Sequence, residues 1–268
     1  MVAVGLIGCG TIGSQLALAL ARTYRHAARI TALHDVDASR ARLLQRRLAS
    51  HPPIVSLRQL IARSRLVLEA ASAEMAAPVA VLALTANRDV FIMSVGGLLR
   101  DRAWQRAASR STGRLYIPSG ALAAVDGIKA LSIGRIRRLS LVTRKPPKAL
   151  MSAPYVRRHR LDLSRLQQPK ELFEGTPSQV VNAFPQNTNI AAALTLAAGA
   201  RSATPTIRVI ADPTIRVNRH ELEVDADCGS IRCQIESAPS ANPKTSELAV
   251  RSAVATLGRI FDRVQIGT

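Results

Sequence analysis

The chain has 268 residues, of which 37 are Lys or Arg and 18 Asp or Glu, for a net charge of +19 and a pI near 11.5. Such a surplus attracts polyanions whatever their sequence, yet 47% hydrophobic residues and a mean hydropathy of +0.10 exclude a disordered basic tail. Aromatic residues at 3% leave little surface on which single-stranded bases could stack, so nucleic acid is not the expected partner.

The length allows one large domain or two closely joined ones. Val2–Ile7 is a continuous apolar run, as expected of a strand buried on both faces. Thr11–Thr23 sets Ile12, Leu16, Ala19 and Leu20 on one helical face. Arg29–His34 reads as a second strand, and Ala38–Ala49 as an amphipathic helix with its arginines outward. Leu66–Ala70, Val90–Ser94 and Leu115–Ile117 are further strands, separated by helical patterns over Glu74–Ala86 and Leu98–Ser109. Repeated β-α units of this length predict a parallel sheet with right-handed crossovers.

The pattern changes after about residue 120. Ile133–Thr143 alternates apolar and polar residues, and Glu221–Ile235 does so in part, which predicts strands with one wet face in an antiparallel or mixed sheet. Arg144–Pro154 is Pro-rich and predicts a loop. Ser178–Ala183, Asn189–Ala200 and Thr245–Phe261 predict helices.

Three cysteines, Cys9, Cys228 and Cys233, are odd in number and form no C-x-x-C. They predict small buried or half-buried thiols, with neither a disulfide framework nor a metal site. No cationic segment precedes the first apolar run, and the longest uncharged stretches, such as Ala76–Ala86 and Ile190–Ala200, reach about half a bilayer span. A cytoplasmic protein with no membrane partner is expected.

Gly8-Cys9-Gly10-Thr11-Ile12-Gly13 fits G-x-G-x-x-G between a buried strand and an amphipathic helix. In that setting Gly8 permits a tight turn, Gly10 lets a pyrophosphate approach the backbone, and Gly13 lets the helix pack on the sheet. The N–H groups opening the helix, from Thr11 and Ile12 onward, then face the phosphates. Asp35 ends the second strand, 22 residues past Gly13, where a carboxylate bonds ribose hydroxyls and repels a 2′-phosphate. NAD is therefore the expected cofactor, with NADP possible because Arg40 follows five residues later. Asp37 reads as the cap of the next helix. Ligands gather at the carboxyl ends of parallel strands, which adds Ala70 and the small residues Ser94 and Gly96 as cofactor candidates. The fold class expected is α/β: an N-terminal Rossmann-type parallel sheet, an inserted α+β substrate and oligomerisation domain, and a C-terminal helix returning to the first domain. Residues 1–120 with 240–268 form the dinucleotide-binding part and 121–239 the catalytic part.

Of five histidines, four lie in basic stretches and read as solvated. His220 stands apart, in Asn218-Arg219-His220-Glu221, where polar groups cluster among apolar strands. A histidine near its ordinary pKa suits proton transfer at neutral pH. A surface histidine in a turn is the competing reading.

Several segments together resemble the L-aspartate dehydrogenase family. They include the glycine loop, Ser94-Val95-Gly96-Gly97, Thr143-Arg144-Lys145-Pro146-Pro147 and Phe184-Pro185-Gln186-Asn187-Thr188-Asn189, followed by Asp212-Pro213, Asn218-Arg219-His220-Glu221 and Asn242-Pro243-Lys244-Thr245-Ser246. The resemblance implies NAD(P)-dependent oxidation of L-aspartate to iminoaspartate, the reverse being reductive amination of oxaloacetate with ammonia, in support of NAD biosynthesis. It implies His220 as the acid/base, Ala121, Ala124 and Asn189 as further cofactor contacts, and a homodimer. Asn187, Lys145, Lys244 and Thr245 are the candidates to hold the substrate. Gln186 departs from the family, where a lysine is common. The related homoserine dehydrogenases and dihydrodipicolinate reductases are the competing enzymes, and the reductase's paired histidines are missing, since His159 stands alone among arginines. A non-enzymatic dinucleotide-sensing or nucleic-acid-binding protein is the alternative of another class.

Overall fold

The computed structural model describes residues 1–185, 189–238 and 246–267. The chain divides into two compact units, Met1–Pro118 with Val250–Gln265, and Ser119–Ala249 with the last residues.

In the first unit, strands β1 (Val2–Ile7), β2 (Ala28–His34), β3 (Leu66–Glu69), β4 (Asp89–Ile92) and β5 (Leu115–Tyr116) form one sheet in the order β2-β1-β3-β4-β5. All pairings are parallel, as expected of apolar runs covered on both faces. Helices α1 (Thr11–Thr23), α2 (Ala38–Arg47), α3 (Leu57–Arg63), α4 (Ala73–Thr85) and α5 (Ala103–Arg110) connect the strands. Leu6, Leu16, Leu20, Leu33, Leu68 and Phe91 fill the core, joined by Ala253 and Leu257 of the last helix, α10 (Glu247–Phe261). The chain leaves β1 for β2 on one side and later returns to β3 on the other. This reversal opens a crevice at the carboxyl ends of the strands.

Two stretches differ from the sequence reading. The single helix expected over Leu98–Ser109 is a 3-10 turn at Val95–Leu99 followed by α5. The break lies at Asp101 and Arg102, where the Asp101 carboxylate accepts the N–H of Ala103 at 2.8 Å just before the second helix begins. Helix α3 was not anticipated; its mark is the capping box in which Ser56 and Gln59 exchange hydrogen bonds.

The second unit contains β6 (Ile136–Lys145), β7 (Lys170–Gly175), β8 (Thr206–Ala211), β9 (Asn218–Ala226) and β10 (Ser230–Ser237), in the order β10-β9-β6-β8-β7. β6 and β8 are parallel and the other pairs antiparallel, so the sheet is mixed. Helices α6 (Val125–Leu131), α7 (Pro154–Arg158), α8 (Pro177–Ala183) and α9 (Asn189–Ala198) complete the unit. Leu139, Leu141, Leu222 and Val224 of the sheet share one core with Ile128 of α6 and with Ile190 and Leu194 of α9. A register shift between Ile136 and Arg138 lets both Ile136 and Leu139 point inward, three residues apart. Arg144 and Lys145, expected in a loop, are the last two residues of β6, and Pro146 ends the strand. The run expected in part over Glu221–Ile235 is the β9–β10 hairpin.

Candidate active site

In the first unit the glycine loop is built as its spacing requires. Gly8 has φ +88, a left-handed backbone, and a Cβ there would stand 2.5 Å from the Ala70 carbonyl oxygen. At Gly13 a Cβ would lie 1.8 Å from the Gly8 carbonyl, so only glycine lets α1 start this close to β1. Gly10 differs, since a Cβ there would meet nothing nearer than an Arg40 nitrogen at 4.0 Å. Its backbone faces open space. Helix α1, Thr11 and Ile12 included, has no side-chain cap and no acidic residue in its first turn. The first N–H groups of such a helix lack internal partners and face outward with the positive end of the helix dipole. These features fit the pyrophosphate of a dinucleotide.

Two carboxylates brace this region. Asp35 accepts the Cys9 N–H at 2.6 Å and the Asp37 N–H at 2.8 Å, tying the loop to the end of β2. Asp37 accepts the N–H of Ser39 as the cap of α2. Arg40 pairs with Asp37 at 3.2 Å from an exposed position. Glu69, fully buried at the end of β3, accepts the Ala71 N–H at 2.8 Å and both the N–H and hydroxyl of Ser94 at 3.0 and 2.9 Å. Burial pushes its carboxyl above the usual range, against the pull of those donors. The bridge joins the loops after β3 and β4, so Ala70 and Ser94 come together beside the glycine turn. Gly96 is buried in the 3-10 turn that follows. Cys9 is also buried, and burial with the charge of Asp35 pushes its thiol up to about 12.

In the second unit the inward face of the sheet is apolar for most of its length, with Leu139 opposite Val224 and Leu141 opposite Leu222. One step further along that face the side chains become polar and stay buried. Thr143 stands opposite His220, and Lys145 and Asn218 lie two residues beyond on their own strands. Thr143 is 2% exposed, His220 3% and Lys145 6%. The Thr143 hydroxyl and His220 Nδ1 share a hydrogen bond of 3.2 Å. Alternation sends Arg144 and Glu221 to the other face, where they pair at 2.8 Å. Asp212, buried after β8, donates its N–H to the Lys145 carbonyl and accepts from the N–H and hydroxyl of Thr214.

The electrostatics correct one expectation. Burial and the Lys145 charge push His220 down to about 3, far from its ordinary value. Burial pushes Lys145 down to about 8. Burial thus keeps His220 a neutral imidazole at neutral pH, with one ring nitrogen a hydrogen-bond donor and the other an acceptor.

Comparisons with known proteins account for both units. Residues 8–118 match the family model described as the NAD binding domain of homoserine dehydrogenase, and residues 126–260 match that of the aspartate dehydrogenase C-terminal domain. The L-aspartate dehydrogenase of Methanosarcina barkeri is 40% identical over 274 aligned residues, covering 100% of both chains. The chain belongs to the L-aspartate dehydrogenase family. The enzyme of that name from Methanocella arvoryzae is 36% identical, again over 100% of both. Among solved structures, aspartate dehydrogenase from Thermotoga maritima matches with a TM-score of 0.73 at 22% identity, covering 100% of each chain, which shows the fold. A homoserine dehydrogenase from Thiobacillus denitrificans matches at a TM-score of 0.57 and 17% identity, covering 98% of this chain and 76% of its own.

The remaining candidates of this aspartate dehydrogenase family member divide in two. Ala121 is buried in the core of the second unit, with Ala124 packed against it and Ile190 of α9 in the same cluster. Ala124 opens α6 with φ +58 and ψ 24, a left-handed backbone uncommon for alanine. Asn189 starts α9 and is exposed. Asn187, Lys244 and Thr245 lie outside the described residues, as does Gln186. Glu69, at a strand end, and Thr143, in a family-like segment, received no role from the sequence, although each leaves a signal: a polar residue at a position where strand periodicity calls for an apolar one. Of the cysteines, Cys228 is exposed rather than semi-buried, because it sits in the β9–β10 turn.

Proposed function

We propose that this family member interconverts L-aspartate and iminoaspartate with a nicotinamide dinucleotide, the reverse direction being reductive amination of oxaloacetate with ammonia. The observation that carries this is the buried Thr143–His220–Lys145 cluster, in a chain whose curated relatives are L-aspartate dehydrogenases along its whole length. When bound, the nicotinamide ring supplies the hydride acceptor. The backbone of Gly8–Gly13 holds the pyrophosphate, and Ala70, Ser94, Gly96, Ala121, Ala124 and Asn189 are assigned to the rest of the cofactor. Asp35, whose oxygens keep further lone pairs, takes the ribose hydroxyls and favours NAD. Exposed Arg40 leaves NADP usable.

Aspartate brings two carboxylates to a site whose buried cation is Lys145. Lys145 answers one of them, and a carboxylate arriving beside this desolvated ammonium offsets the cost of burying it. Asn187, Lys244 and Thr245 are assigned to the remaining substrate contacts. Neutral His220 takes the proton of the substrate amine as the imine forms. A cytoplasmic homodimer serving NAD biosynthesis completes the proposal; no helix among the described residues is long and apolar enough to cross a membrane.

The matching of residues 126–260 to the aspartate dehydrogenase model weighs against homoserine or aspartate semialdehyde chemistry. The test follows NADH and NADPH consumption with oxaloacetate plus ammonia and, separately, with aspartate semialdehyde. Consumption is expected with the first pair, faster with NADH. Turnover of the semialdehyde alone would overturn the reading.

A further inference from the structure

We propose that Thr143 is a positioning residue that determines which nitrogen of His220 carries the proton; this rests on His220 being the acid/base. The two residues are direct cross-strand partners on β6 and β9, both buried, with Oγ1 and Nδ1 3.2 Å apart. Among the described residues, this is the one hydrogen bond to the imidazole. The neighbouring pair Leu141 and Leu222 lies in the same register, so the contact follows from the sheet itself.

A hydroxyl suits this place because it both accepts and donates. To take a proton from the substrate, His220 needs a bare lone pair on Nε2, so the ring proton must sit on Nδ1 and point at Oγ1. As aspartate is oxidised the amine N–H bond breaks, its proton goes to Nε2 and its electron pair becomes the second bond of C=N. A bound nicotinamide would take the Cα–H pair as hydride. The imidazolium so formed still donates from Nδ1 to Oγ1, and the threonine need not move. In the reductive direction the same bond holds while Nε2 gives its proton back. Thr143 also brings no charge, unlike a carboxylate partner, which would draw the imidazole toward its protonated form before substrate arrives. A valine of equal shape would leave Nδ1 with nothing to accept its proton and free the ring to carry it on Nε2, where it blocks the base.

The experiment compares Thr143→Val and Thr143→Ser with the parent chain in two readouts. Nitrogen NMR of 15N-histidine-labelled protein, with His220 assigned through His220→Gln, reports the tautomer. Steady-state kinetics report kcat and KM for aspartate. In the parent and in Thr143→Ser the Nδ1-protonated form is expected, with kcat within a few-fold of each other. Thr143→Val is expected to shift the tautomer toward Nε2 and to lower kcat about tenfold, the worth of one hydrogen bond, with KM little changed. An unchanged tautomer in Thr143→Val, or a serine variant as impaired as the valine one, overturns the role of Thr143 while His220→Gln still loses turnover. Full turnover in His220→Gln overturns the assignment of His220 and this role with it.

Discussion

Burial disfavours the charged form of both His220 and Lys145, and the two lie on one face of one sheet. Each charge added there raises the cost of the other. The arrangement keeps the histidine neutral and leaves the lysine as the cation that an anionic substrate can stabilise. It also ties stability to pH. A base whose pKa falls on folding binds fewer protons folded than unfolded between its two values, so stability rises with pH across that interval. For Lys145 the interval runs from about 8 to the ordinary 10.5. Lys145→Met is therefore expected to melt higher than the parent at pH 7, with the advantage shrinking as pH rises from 8 toward 10.5. A difference in melting temperature that stays constant over that range would show that the lysine carries no such penalty.

At the scale of elements, two glycines of one loop separate folding from binding. Gly13 is pressed on the Gly8 carbonyl, so Gly13→Ala should cost about 1–3 kcal/mol of stability, as overpacking does. Gly10 faces open space, so Gly10→Ala should melt like the parent and yet bind dinucleotide more weakly, because the added methyl stands where phosphate approaches the backbone. Titration of bound dinucleotide by fluorescence, beside thermal melts of both variants, checks the contrast; equal dinucleotide affinity in Gly10→Ala would contradict it. This loop was fully legible in the sequence, as were β1, α1 and β2, because a strand buried on both faces and a glycine turn each leave a mark within a few residues. Other elements were not. Strand β7 (KELFEG) is short and largely polar at a sheet edge, and α3 has only seven residues. His220 stood out as unusual, but its burial comes from pairing with β6, 77 residues earlier in the chain. Its assigned role came from family resemblance, and Thr143 became visible only through the register of the two strands.

At the scale of the molecule, the surplus charge and the chemistry occupy different residues. Arg40, Arg42, Arg46 and Arg47 on and around α2, like Arg102, Arg106 and Arg110 around α5, are all exposed, as expected of a solvated face. Such a surface raises the local concentration of an anionic substrate at low salt and does little else for the reaction. The proposed function divides the work between the units: backbone glycines of the first for the dinucleotide, and a buried histidine of the second for the proton. The most direct test of this division is the turnover of His220→Ala with aspartate, measured beside its affinity for the dinucleotide. A kcat lower by about 10²–10⁴ is expected, the usual contribution of a general base, with dinucleotide affinity unchanged. Turnover equal to that of the parent chain would contradict it.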